Sequence, residues 1–190
     1  MAEAIKTINV ATVLGAIGLV VLSLWPGFAG GCWVFFALPL IALLGLAWLL
    51  VAMIGYVRRR NAPSLRQLAV APILVCLTLA LLVFYIPRRI AFFGHRGQFE
   101  KHLASVRANG YPTERLGWVG IYRVDMCVTD PRGGVYFRTA TGPGGIGPDT
   151  VSYGFVYRPN RQGSPFGASG YLVRPLSGEW YWFEASDDSY

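Results

Sequence analysis

Residues Gly142 to Gly147 read GPGGIG, the G-x-G-x-x-G spacing of a loop that holds phosphates with backbone amides. That chemistry needs the loop to follow a strand and open a helix, because the helix N-terminus supplies the amides and the dipole. Here Pro148 and Asp149 follow, and Val151, Tyr153, Phe155 and Tyr157 then alternate in the period-two pattern of a strand. The loop therefore joins two strands. A protein-kinase glycine loop does the same, but its H-R-D and D-F-G companions are missing, and no Walker-type G-K-[ST] occurs in the chain. The glycines read as a hairpin connection that relieves backbone sterics, and no cofactor is expected.

Other reactive side chains are sparse. His95 and His102 are the only histidines. Seven residues apart on one helix, they are separated by about 10 Å along the axis, too far for one ordinary metal site. Cys32, Cys76 and Cys127 have no metal-ligand spacing, although Cys32 and Cys127 fall on one side of a membrane in the orientation favoured below and a disulfide between them is an open option. Gly167-Ala168-Ser169-Gly170 falls one residue short of a nucleophile elbow. Asp125, Asp130 and Asp149 are available as carboxylate pairs, but Asp130 before Pro131 and Asp149 after Pro148 are placed as turn residues. No catalytic residue and no metal ligand is expected.

The elements that would position these groups follow from composition. The chain has 190 residues, of which 54% are hydrophobic and only 14% charged. Its mean hydropathy is +0.43. Soluble domains carry about 25% charged residues, so this is the composition of a membrane protein. The apolar residues concentrate before Pro87, which divides the chain into a transmembrane region, 1–87, and an extramembrane domain, 88–190. Three spans are expected, at about 8–25, 33–57 and 68–86, each near the roughly 17 to 25 residues a bilayer requires. Pro39 kinks or begins the second, and Pro72 falls in the first turn of the third, where proline is tolerated. Trp25, Trp33, Tyr56 and Tyr85 suit the headgroup level. Ala11, Gly15 and Gly18 would let another helix approach the first span closely. The spans contain no Asp, Glu, Lys or His, which argues against an ion-coupled transporter.

With Lys6 and the Arg58 to Arg66 cluster in the cytoplasm, the positive-inside bias places the 88–190 domain outside, for instance across a bacterial inner membrane. The opposite orientation would use Arg88, Arg89, Arg96, Lys101 and Arg107 instead, an equal count, but the short loop carries more weight than charges leading a long domain. Competing readings make the first span a signal peptide cleaved near Gly27-Phe28-Ala29, or treat Ala29 to Cys32 as a loose lipobox. The apolar stretch is longer than a signal core, which disfavours both.

Beyond Pro87, Phe99, Leu103 and Val106 mark one face of a helix that Gly110 and Pro112 stop. One long strand is expected over Trp118 to Val128, with Trp118, Gly120, Tyr122, Val124, Met126 and Val128 on one face and Arg123, Asp125 and Cys127 on the other. Strands follow at Val135–Ala140, Thr150–Arg158, Ser169–Arg174 and Glu179–Glu184. The predicted fold is thus an α+β membrane protein: three transmembrane helices, then a small domain of one helix plus an antiparallel meander of about five strands. In the last strand Trp180, Tyr181, Trp182 and Phe183 put rings on both faces. Such a strand is either central and covered twice or offers one ring face to a partner.

No protein family is recognised in these motifs. The leading functional expectation is a non-enzymatic, multi-pass membrane protein whose extracytoplasmic domain binds a protein partner through Trp180, Tyr181, Trp182 and Phe183, as an accessory or structural subunit of a membrane complex. The alternatives are a membrane-surface hydrolase of unfamiliar type, and a lipid-engaging protein whose Arg88, Arg89, Arg96 and Lys101 meet anionic headgroups. Nucleic acid is not expected as a partner, because there is no concentrated basic stripe to neutralise phosphates.

Overall fold

A computed structural model describes residues 2–25, 27, 45–46, 48–50, 53–54, 65–109, 115–143 and 150–186. The chain divides into two compact units, Met1–Leu24 with Trp33–Pro87, and Trp25–Cys32 with Arg88–Tyr190.

The first unit is helical. Helix α1 spans Ala2–Leu22. Thr12 Oγ1 donates to Ile8 O at 2.8 Å and, just past the helix, Ser23 Oγ donates to Val20 O at 2.7 Å, so these hydroxyls are satisfied by nearby carbonyls. Within it Ile5–Leu22 is long and apolar enough to cross a membrane, with mean hydropathy 2.0, and the stretch is scarcely covered by the rest of the molecule. It has the character of a membrane span or of a signal sequence. Helix α2 spans Leu65–Val83 and begins earlier than expected, so Pro72 lies inside it rather than in its first turn. There the proline removes one backbone donor from the helix.

The expectation of three spanning helices is not met among the described residues. Ile5–Leu22 qualifies alone, whereas Ala69–Val83 qualifies only when joined to the following helix. The physical reason is length: the described apolar run of α2 is shorter than the bilayer core. Of the second expected span, 33–57, residues 45–46, 48–50 and 53–54 are helical and the others lie outside the described residues.

Helix α2 ends where Tyr85 takes a left-handed conformation, φ 55°. Helix α3, Ile86–Asn109, starts at once, with Pro87 in its first turn, where its fixed φ suits initiation and its missing N–H has no partner to lose. Pro87 therefore opens a helix instead of standing ahead of one.

The second unit is a sheet covered on both faces. Strands β1 (Gly117–Val119) and β2 (Tyr122–Val124) form a two-stranded hairpin. Strands β3 (Met126–Thr129), β4 (Val135–Pro143), β5 (Thr150–Tyr157), β6 (Ser169–Ser177) and β7 (Trp180–Ser186) form a five-stranded antiparallel sheet in the order β3-β4-β5-β7-β6. Against one face pack Phe92, Phe99, Leu103 and Val106 of α3 with Tyr122 and Val124, over Cys127, Phe137, Phe155 and Trp180. Against the other, the segment after β5 lays Phe166 across Tyr136, Val156, Phe183 and Ala185. Double coverage explains why β5 is buried from Val151 to Val156 without alternation.

Two expectations about the sheet are corrected. The single strand over Trp118 to Val128 is three short strands, because Gly120, at φ 64°, turns the chain back between β1 and β2. A break at Asp125 then shifts the parity, so Val124 and Cys127 enter the same core while Met126 and Val128 face the opposite one. The meander is also broken at its end, where β7 inserts between β5 and β6.

Candidate functional site

Strand β7 carries the rings expected to meet a partner, and its position decides their fate. Hydrogen-bonded to β5 on one side and β6 on the other, it lies inside the sheet. Trp180, Trp182 and Phe183 are buried and Tyr181 is half-buried. Trp180 packs among Phe92, Phe99, Phe137 and Tyr157, with ring centroids 5.3 to 5.9 Å away. Phe183 stacks on Phe166 at 5.8 Å. These rings are core, which corrects the expectation that they form an exposed interaction surface.

The cations expected at lipid headgroups are likewise separated by the fold. Arg88 is buried, 3% exposed, with its guanidinium 4.6 Å from the centre of the Trp182 ring. On this point the expectation is corrected: α3 directs Arg88 to the same side as Phe92 and Phe99, toward the sheet. Arg96 is bound by Glu100 at 2.7 Å and by the Ser177 hydroxyl at 3.1 Å. Arg89 and Lys101 remain exposed.

The densest polar cluster joins the turn after β3 to the loop after β5. Asp130 accepts hydrogen bonds from the Arg132 amide at 2.9 Å, from Arg132 Nε at 3.0 Å and Nη2 at 2.8 Å, and from Asn160 Nδ2 at 2.9 Å. Burial alone would raise its pKa, but the Arg132 and Asn160 donors outweigh it and hold the carboxyl below its usual 3.8. Asn160 Oδ1 accepts the amides of Gln162 and Gly163, and its carbonyl accepts the Tyr171 hydroxyl at 3.1 Å. Tyr171 in turn meets the Tyr136 hydroxyl at 2.9 Å, and burial raises the pKa of both phenols. A carboxylate with four donors and phenols held neutral is poorly suited to act as base or nucleophile. The cluster fixes the loop that carries Phe166 over the sheet.

Three further carboxylates lie beside arginines. Arg138 binds Asp125 at 2.9 Å, and its guanidinium lies 4.9 Å from the Phe166 ring centre. Glu179 receives the Tyr157 hydroxyl and Arg158, the latter at 2.6 Å, which lowers its pKa. Glu184 is raised by burial, although the Arg88 and Arg174 charges pull it back. Tyr122, completely buried, has a hydroxyl with no hydrogen-bond partner among the described residues, and burial pushes its pKa to about 12.

A large aromatic ring of the β1–β2 hairpin stands apart from the core. Trp118 on β1 is 70% exposed and lies directly opposite the exposed Arg123 on β2. The expected single strand set Trp118, Gly120 and Tyr122 on one face, whereas Gly120 reverses the chain between β1 and β2.

His95 is occupied structurally. Its ring packs against the backbone of Gly120, where an added Cβ would approach it to 2.5 Å, and it meets Tyr122 edge-on at 6.3 Å. Among the described residues no group of three His, Cys, Asp or Glu side chains could hold a metal ion. Cys127 is buried in the helix-side core, while Cys32, Asp149 and residues 144–147 of the glycine loop lie outside the described residues. In the first unit a groove of about 490 Å³ runs along Ala11, Gly15 and Gly18 of α1 and Ala71, Val75 and Thr78 of α2. The Thr12 and Thr78 hydroxyls that line it donate to Ile8 O and Leu74 O within their own helices, so the groove presents hydrocarbon. Compared with protein families, with curated proteins and with solved structures, the chain matches none.

Proposed function

We propose that this chain is a membrane-anchored, non-enzymatic protein whose β-rich domain binds a protein partner, as an accessory subunit of a membrane assembly. The observation that carries the anchorage is α1, whose apolar length lies uncovered by the rest of the molecule. Partner binding is supported by Trp118. An indole that is 70% exposed, held on a hairpin and set opposite an exposed arginine, combines the two residue types most enriched at interface hot spots. The matching surface is an apolar pocket rimmed by carboxylates.

A photo-reactive amino acid placed at position 118, with Arg161 in the exposed loop as the control position, tests this in intact cells. The expected result is one discrete adduct from position 118, absent from 161 and weakened by Arg123→Glu. Equal adduct patterns at 118 and 161, or none at 118, would overturn the docking assignment. The membrane assignment is tested separately by the topology experiment below.

A further inference from the structure

The outward face of α3 changes character along its length. Ile90 and Phe93 are 68% and 69% exposed, and Arg89 beside them is exposed as well. At helical spacing the same face continues through Gly97, Glu100, Lys101 and Ala104, all exposed, with no large apolar side chain. The opposite face, Phe92, Phe99, Leu103 and Val106, is sealed in the core, so the exposed apolar residues are not part of the domain's packing. Immediately before α3, Val83 and Phe84 are 65% and 64% exposed. The apolar run of α2 reaches spanning length only when joined to α3. Along the chain, exposed apolar residues thus recur on both sides of Tyr85 and stop within the first two turns of α3.

We infer that the first two turns of α3 lie in the membrane interface, with Ile90 and Phe93 against acyl chains and Arg89 among anionic headgroups. The water boundary falls between Phe93 and Glu100, beyond the Pro87 position suggested by composition. The occupant follows from the mixture on the face: two large apolar side chains lie beside a cation, the pattern of a helix lying at the headgroup level, where the arginine stem reaches along hydrocarbon and its head meets phosphate. Arg88 and Arg96 take no part, since Trp182 and Glu100 hold them. This inference rests on the membrane reading above.

The test uses the full chain with native cysteines replaced by alanine and its melting checked, reconstituted in phosphatidylcholine vesicles with and without phosphatidylglycerol. Nitroxide labels at Ile90→Cys, Phe93→Cys, Lys101→Cys and Ala104→Cys report accessibility to oxygen, which concentrates in lipid, and to a nickel chelate, which stays in water. Ile17→Cys in α1 is the membrane reference. The expected result is oxygen-favoured labels at 90 and 93, nickel-favoured labels at 101 and 104, and deeper labels at 90 and 93 with phosphatidylglycerol, a lipid dependence lost in Arg89→Glu. If 90 and 93 behave like 104 while 17 is oxygen-favoured, the inference fails and the membrane reading stands. If 17 is also nickel-favoured, the membrane reading itself fails. Labels at 90 and 93 shielded from both reagents would mean that protein covers the face, which overturns the lipid assignment.

Discussion

Gly154 shows how much a single residue can decide in this sheet. It pairs with Arg138 beside the irregularity in β4, and an added Cβ would stand 2.0 Å from the Phe137 carbonyl oxygen and 2.9 Å from the Arg138 Cα. Both obstacles are backbone in the sheet interior and cannot turn aside. Gly154→Ala is therefore expected to destabilise the domain by about 3 kcal/mol or more, read as a fall in denaturation midpoint. Gly97 on α3 has nothing within 4 Å of the same hypothetical atom, and Gly97→Ala should raise stability by about 0.5 to 1 kcal/mol through helix propensity. Asp130 supplies a pH-dependent counterpart. Its folded pKa is depressed below the usual 3.8, so its contribution is present above that value and is lost as pH falls through the folded pKa. Asp130→Asn should cost about 1 to 3 kcal/mol at neutral pH. Between neutral pH and about pH 3, its denaturation midpoint should fall less than that of the parent chain.

At the scale of elements, the alternation in Val151 to Tyr157 and the run Phe99, Leu103, Val106 were legible because period two and period 3.6 leave different marks on an apolar pattern. What the pattern could not reveal was strand order. Nothing local in Ser169 to Ser186 tells that β7 bonds to β5 and leaves β6 at the edge, since either strand of a hairpin can take the inner place. The ring-rich composition of β7 was the available clue, as rings on both faces suit a strand covered twice. Parity failed for a similar reason: one irregular residue at Asp125 re-phases everything after it, and periodicity carries no warning of a bulge. The Asp130–Asn160 cluster was invisible because its members are 30 residues apart and meet only through the fold. The edge strand β6 contains Gly170 and Pro175, with irregular pairing beside each, which guards it against further strand addition and leaves the hairpin as the better docking element. These placements separate two tryptophans sharply. Trp180→Ala, in the core, should cost about 3 to 5 kcal/mol in a denaturation curve. Trp118→Ala should change stability by less than about 0.5 kcal/mol while weakening partner adducts formed from a photo-probe at Arg123.

For the whole molecule, the number of crossings determines on which side the β-rich domain lies. One crossing by α1 alone puts the domain opposite the N-terminus. Two crossings, α1 and the joined pair of α2 with the start of α3, would return it to the N-terminal side. A further crossing within 33–57 restores the opposite side, so with an inside N-terminus an extracytoplasmic domain requires an odd count. With three crossings the charges favour an inside N-terminus, because Lys6 and the cluster at Arg58, Arg59, Arg60 and Arg66 then share the cytoplasmic side, whereas a single crossing by α1 separates them. Reporter fusions that work on only one side of the membrane, placed before Met1 and after Tyr190, read this parity directly. The expected outcome is a cytoplasmic signal from the first and an external signal from the second, with both fusions retained in the membrane pellet after an alkaline carbonate wash. Signals on the same side would establish an even count, two cytoplasmic signals would move Arg89 to the cytoplasmic leaflet, and release by carbonate would remove the membrane assignment altogether.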